Sequence, residues 1–550
     1  MIAKSTNSSR VSTRHPRLPR LALVALLCAA PLVANAADTQ GVELAEEQVF
    51  TYRLLDDIKS FDPQLNTDVE GSDIMRDLFE GLMNDDAQGN TVPGAATEYT
   101  LSDDKLTYTF KLRDANWSNG QPVTANDFVY AWRRLADPAT ASEYAWYMEL
   151  MGVKNAEAIV AGENPPEELG VRAVDDETFE VMLDNALPYF PAMTTHASTF
   201  PVLQSVIEEH GNKWTRPGNL VGNGAYVLTD YRSGERVVRE RNPEYWNDAE
   251  TVIDKTVALV INDENQALTR YLAGELDRTV IPSGQYPRLS KEYPNQAYSY
   301  PRSCSYIYWF NQGEKGPEAL KDVRVRKALS YAIDREIIVE RILQGGQYES
   351  YNFTHQATAG FQLPDIEYAS WTQEERDARA VQLMEEAGYG PDKPLSLVIS
   401  YNTDESHKKI ALAVSQFWKQ KLGVQVELKN TEWKIHTTNL QNHDFEVARY
   451  AWCGDYNEAS TYLDLLTSYS IHNVSGFSSE EYDQLMAESK TMADPSDSYV
   501  KAELMLAENM PFAPIYQYTR IDMLNENLRG WPIDNLMQNW YSRELYFAAD

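Results

Sequence analysis

The chain has 550 residues, 49 Lys+Arg against 82 Asp+Glu, 43% hydrophobic residues and 11% aromatics. At about 100–200 residues per domain this supports two to four domains with real cores, and it is too apolar for a disordered chain. A formal charge of −33 argues against nucleic acid or anionic membrane surfaces as partners, because both carry the same sign.

The first 36 residues differ from the rest. They carry Lys4, Arg10, Arg14, Arg17 and Arg20 with no acid, then the apolar run Leu21 to Val33 and the triplet Ala34-Asn35-Ala36. A basic start, an apolar stretch too short to span a bilayer and an A-x-A site predict a secretory signal peptide, residues 1–36, with the mature chain starting at Ala37. Cys28 raises the lipoprotein alternative, but Leu27 stands where a lipobox wants a small residue. Removing five basic residues from 49 leaves 44 against 82 acids, a net charge of −38 over 514 residues.

Along the mature chain, Asn84 to Asn90, with Asp85 and Asp86, reads as a hairpin turn rather than an ion site. Tyr108 to Leu112 alternates as a half-buried strand. Thr372 and Glu375 form a capping-box pattern for a helix that closes at Gly388, and Ser478 with Glu481 predicts another helix start. Between Ser406 and Leu422, Ile410, Val414, Phe417, Trp418 and Leu422 share one helical face, and Gly423 caps it before the alternating strand Val424 to Leu428. This is α/β architecture. No single linker divides the chain, so its domains are expected to be discontinuous.

Cys304 and Cys453 remain after the leader is removed. In an oxidising compartment an even count favours a disulfide between them over two separate buried thiols, and without C-x-x-C spacing no zinc site is expected. The catalytic and nucleotide signatures G-x-x-x-x-G-K-[ST], G-x-S-x-G, H-E-x-x-H and the EF-hand loop do not occur. His436 and His443 lack a third ligand nearby and read as surface residues. Nothing in the sequence asks for an enzyme.

Phe110-Lys111-Leu112-Arg113 and Trp117-Ser118-Asn119-Gly120-Gln121-Pro122-Val123-Thr124-Ala125-Asn126-Asp127-Phe128-Val129-Tyr130 resemble the signature region of periplasmic solute-binding proteins of peptide ABC importers. Arg76 to Leu82, Arg241 to Trp246 and Asp322 to Leu329 recur in that family in the same order. Trp452 to Glu458, and Tyr401-Asn402-Thr403 with His407-Lys408-Lys409, resemble its oligopeptide-binding branch.

The resemblance implies an α/β, two-lobed type II binding protein of the large three-domain subclass, with a hinge and a ligand enclosed between the lobes. It implies a first domain of residues 37–79, 205–241 and 520–550, an inserted domain of 80–204 in the same lobe, and a second lobe of 242–519. It implies Asp455 as the anchor of a peptide's α-ammonium. The backbone around Tyr450, Trp452 and Cys453 pairs with the ligand's main chain, with Val69 in the facing segment. Trp433, Trp452, Tyr130 and Tyr518 are candidate walls, and Arg449 and His407 match the basic residues used for the far carboxylate. The chain departs from the pattern at Leu343 and Leu440, where that branch can place Lys and Arg, and Arg302 is a basic residue without a counterpart.

The expected partners are a peptide ligand and the permease of an ABC importer, with no nucleic acid, no cofactor and no metal, acting as a periplasmic monomer. The alternatives are a receptor for murein peptide, dipeptide, glutathione or a metal chelate, or else a secreted hydrolase or a periplasmic chaperone.

Overall fold

The computed structural model describes residues 39, 41–492 and 494–549. The predicted leader and its cleavage point after Ala36 lie outside the described residues. Among those residues no helix is long and apolar enough to cross a membrane.

The largest sheet runs, strand by strand, through Gln425–Thr431, Ser396–Asn402, Val447–Cys453, Ala297–Phe310, Phe512–Leu524, Arg278–Val280, Val49–Leu54, Lys255–Val260, Arg236–Arg241 and Tyr226–Arg232. Ala297–Phe310 and Phe512–Leu524 are the two long members, of 14 and 13 residues. They pair antiparallel from Ala297↔Met523 to Pro301↔Thr519 and again from Ser305↔Gln517 to Trp309↔Phe512, with a register break between Pro301 and Ser305. The break divides the sheet into two halves that carry separate cores, so the fold is two-lobed and the lobes meet where the two long strands lose regular pairing.

Side chains on a strand alternate between faces. Accordingly Tyr306, Tyr308 and Phe310 pack into one core of the second lobe, while Ile307 and Trp309 pack into the core on the other face. The helix predicted around Ser406 to Leu422 is Glu405–Leu422, capped by Asp404 and ended by Gly423 at φ +69°, a left-handed position that suits glycine. Thr372 and Glu375 form their capping box at the start of Gln373–Glu386. The other cap is displaced by one residue: Ser479, not Ser478, accepts from the Tyr482 amide at 3.2 Å. Adjacent serines offer the same hydroxyl, so the pattern does not separate them.

A four-stranded sheet of Ala96–Leu101, Thr107–Leu112, Thr178–Met182 and Val171–Asp175 carries the helix Ala125–Ala136. The segment joining sheet to helix explains its own motif. Buried Asp127 accepts from the Thr124 amide at 2.8 Å and from the Trp117 indole at 3.3 Å, closing a capping box. Two further motifs meet at Glu80, whose carboxylate accepts from the Tyr245 hydroxyl at 2.9 Å and the Trp246 indole at 2.7 Å. Neighbouring Asp77 pairs with Arg239 at 2.7 Å in full burial. Arg326, in the fourth motif, donates to the carbonyls of Leu320, Lys321, Asn509 and Met510. These segments hold the fold, and their side chains are used up in doing so.

Candidate functional site

The lobes touch. The Tyr189 ring stacks on Tyr456 at 5.5 Å and 11°, and Trp146 meets His472 edge-on at 5.0 Å. Between them lies a chamber of about 260 Å³ lined by residues 67–69, Asp73, Arg76, Tyr144 and His196 from one side and by Trp433 and 450–455 from the other. Residues 302–304 and 537–539 complete it. A wider space of about 990 Å³ shares Thr67, Asp68, Val69, Arg302, Trp433 and Arg520 with it, so the two are one cleft.

One wall is a strand edge. Val447–Cys453 pairs along its length with Ala297–Phe310, from Phe310↔Val447 to Cys304↔Cys453. On its other side Ser396–Asn402 reaches only Val447 and Ala448. Among the described residues, therefore, no strand covers the edge from Arg449 to Cys453, and its outer half borders the chamber.

Beyond that edge the chain turns at Gly454, whose amide donates to the Ser303 carbonyl at 2.7 Å. A Cβ at Gly454 would stand 2.7 Å from Ser303 Oγ, so only glycine fits this approach without displacing a neighbour. Asp455 follows, its amide donating to Thr461 Oγ1 at 3.0 Å. Its Oδ2 is shielded from solvent and has no hydrogen-bond partner among the described residues. Burial pushes this carboxyl up to about 7.

Cys304 and Cys453 are joined, as the cysteine count favoured. Val69 and Trp433 line the cleft with 51% and 47% of their surface exposed, which is high for apolar side chains in a packed region. Trp452 lines the chamber, and its ring lies 5.1 Å from His472.

Arg449, His407 and Tyr518 gather separately, on the opposite face of the strand from Tyr450 and Trp452. Arg449 is 6% exposed, donates to Asn402 Oδ1 at 3.1 Å and to the Tyr518 hydroxyl at 2.8 Å, and lies 4.8 Å above the Tyr306 ring. No carboxylate among the described residues lies within ion-pair distance of it, and its Nε is buried without a partner. Burial, then the charge of Arg449, hold His407 down to about 3, so its ring is neutral at neutral pH. A buried guanidinium without a counter-ion makes this cluster suited to an anion.

Several expectations are corrected. Tyr130 does not border the chamber; it lies on Ala125–Ala136 and lines a separate groove with Arg133 and Arg134, because its helix face turns that way. His436 is not a surface residue: it is 1% exposed and its Nε2 lies 2.8 Å from the Arg449 carbonyl, which fixes the strand beneath Arg449. Leu343 and Leu440 are buried in the cores of the second lobe. Asn84 to Asn90 is a hairpin turn as expected, with Asp86 accepting from the amides of Gln88 and Asn90, but Asp85 is buried and held up at about 6 by that burial. Tyr144, His196, Arg520, Gln538 and Asn539 line the chamber without a local sequence signal, since they reach it from separate parts of the chain, and Arg76, which opens one of the family motifs, lines it too.

The chain matches the model of the bacterial extracellular solute-binding proteins, family 5 middle region, over residues 90–473. It is 43% identical over 536 residues to the periplasmic murein peptide-binding protein MppA of Escherichia coli, covering 96% of this chain and 99% of that protein. It is 41% identical over 531 residues to the periplasmic oligopeptide-binding protein OppA of Salmonella typhimurium, covering 95% and 97%. The solved structure of the E. coli murein tripeptide binding protein MppA superposes with a TM-score of 0.84 at 44% identity, covering 92% of this chain and all of that one. With its two lobes, enclosed cleft and match across most of its length, the chain belongs to the family 5 bacterial extracellular solute-binding proteins.

Proposed function

We propose that this protein is a periplasmic receptor that encloses a peptide bearing a free amino terminus and delivers it to an ABC importer. The observation that carries this reading is Asp455, a buried carboxylate lining the chamber between the lobes with one oxygen unpartnered among the described residues. Burying an ionised carboxylate without a partner is costly, and a ligand ammonium removes that penalty. The uncovered edge from Arg449 to Cys453 offers main-chain pairing, with Val69 opposite, and such pairing gives affinity without reading side chains. Arg449, with His407 and Tyr518 beside it, receives the far carboxylate. The domain division proposed is 37–79, 205–241 and 520–550, with 80–204 inserted, against a second lobe that starts after Pro301 rather than at the expected 242, because Lys255–Val260 and Arg278–Val280 pair beside Val49–Leu54 in the first lobe. The leader 1–36 is cleaved on export, and the receptor acts as a monomer that binds without hydrolysing.

A murein peptide is the second reading, favoured by the likeness to the murein peptide-binding relative and by the apolar Leu343 and Leu440. Native mass spectrometry of protein purified without denaturation reads the mass of any retained ligand and separates the two. Replacing Asp455 with Ala is expected to weaken peptide binding by about 2–5 kcal/mol in calorimetry. Unchanged affinity removes the anchor, and cleavage of labelled peptides replaces the receptor with a hydrolase.

A further inference from the structure

The chamber is lined by six charged side chains: Asp68, Asp73, Arg76, Arg302, Asp455 and Arg520. Four are engaged within the protein. Asp68 caps the helix Val69–Leu78 and accepts from the Lys59 amide at 3.0 Å. Asp73 pairs with Arg76 at 3.0 Å, and Arg520 lies 3.2 Å from Asp522. The remaining two, Asp455 and Arg302, form no ion pair among the described residues, and the Arg302 guanidinium makes no hydrogen bond there either.

Their placement follows from strand register. Cys304 stands opposite Cys453 and the Gly454 amide donates to the Ser303 carbonyl, where the ladder ends, so Arg302 and Asp455 lie just beyond the bridged pair and both line the chamber. No nitrogen of Arg302 comes within ion-pair distance of Asp455, and Arg302 also borders the wider part of the cleft. A ligand whose ammonium meets Asp455 presents to Arg302 the groups of its first or second residue.

We infer that Arg302 is a specificity-determining residue that takes a second carboxylate close to the ligand's free amino group. This rests on the peptide reading above and narrows it to peptides acidic near their amino end. The carboxylate has two possible sources, the side chain of an α-linked Asp or Glu and the free α-carboxylate of a γ-linked Glu. A guanidinium engages either in the same paired geometry.

The test is calorimetry on the full mature chain freed of retained ligand, with Ala-Glu-Lys, Ala-γ-Glu-Lys and the neutral control Ala-Gln-Lys. Wild type is expected to bind at least one Glu peptide about tenfold or more tighter than the Gln peptide, the usual worth of a charged hydrogen bond. Which of the two is tighter names the source. The discrimination ratio is expected to fall to about one in Arg302→Gln and to return in part in Arg302→Lys. Because the readout is a ratio within one variant, a general loss of fold does not imitate it. Equal binding of all three peptides by wild type, or a ratio that survives Arg302→Gln, overturns the assignment and leaves the peptide reading standing. Failure of every peptide to bind overturns both.

Discussion

Cys304 and Cys453 face each other as register partners on adjacent strands and are bonded across them, Cα to Cα 3.9 Å, at a sequence separation of 149. Arg302 precedes the first cysteine by two residues and Asp455 follows the second by two. The bridge therefore fixes the point where the wall strand ends and the chamber begins.

Replacing both cysteines with serine is expected to lower stability by about 4–5 kcal/mol on the chain-entropy account of a loop this long. Peptide affinity should fall as well, because the turn through Gly454 is no longer tied to Ser303 at both ends. Thermal unfolding with and without peptide checks both; a stability loss with undiminished affinity means that Asp455 is held by Thr461 alone.

Asp455 makes binding depend on pH. In the empty chamber its carboxyl is held up at about 7, and an ammonium ligand needs it ionised. Binding then expels a proton below pH 7, and affinity should fall by up to about tenfold per pH unit as acid is added. Titrations in buffers of different ionisation enthalpy should show proton release in wild type and none from this group in Asp455→Asn.

The same carboxyl affects stability with the opposite sign. Its folded-state value lies above the ordinary one, so the folded protein holds the extra proton between about pH 4 and pH 7 and loses stability as pH rises through that window. Asp455→Asn removes the penalty. The ligand-free variant is expected to melt about 2 °C above wild type at pH 8, with a smaller gain at pH 5. A lower melting temperature at pH 8 shows that the carboxylate has a partner in solution.

Arg449 is expected to discriminate free from amidated carboxyl termini. Peptides from two to five residues should show an affinity maximum at one length, and Arg449→Met should flatten it while lowering affinity by about 2–5 kcal/mol at that length. A flat profile in wild type removes a fixed carboxylate anchor.

What the sequence revealed depended on how local the cause was. The helix Glu405–Leu422 was legible because Ile410, Val414 and Trp418 repeat at helical spacing and Gly423 ends it. The motif segments identified the family, yet their buried carboxylates and arginines serve Trp117, Tyr245 and the Asn509 carbonyl rather than a ligand. Asp455 came from resemblance, since an aspartate after glycine is by composition a turn. His436 is buried against expectation because a spacing of seven between histidines says nothing about burial. The side of the chamber formed by residues 537–539, with Tyr144 and His196, joins segments hundreds of positions apart, and no pattern within one segment announces such a meeting.

The stacked Tyr189 and Tyr456 close the lobes over a carboxylate that forms no ion pair among the described residues. Closure around an empty chamber therefore carries a penalty that closure around a cation escapes, and the balance between open and shut forms shifts with the occupant's charge. Occupancy is thereby written into shape. A membrane complex that engages only the shut form would rarely meet a vacant receptor, with no separate sensor for the cargo.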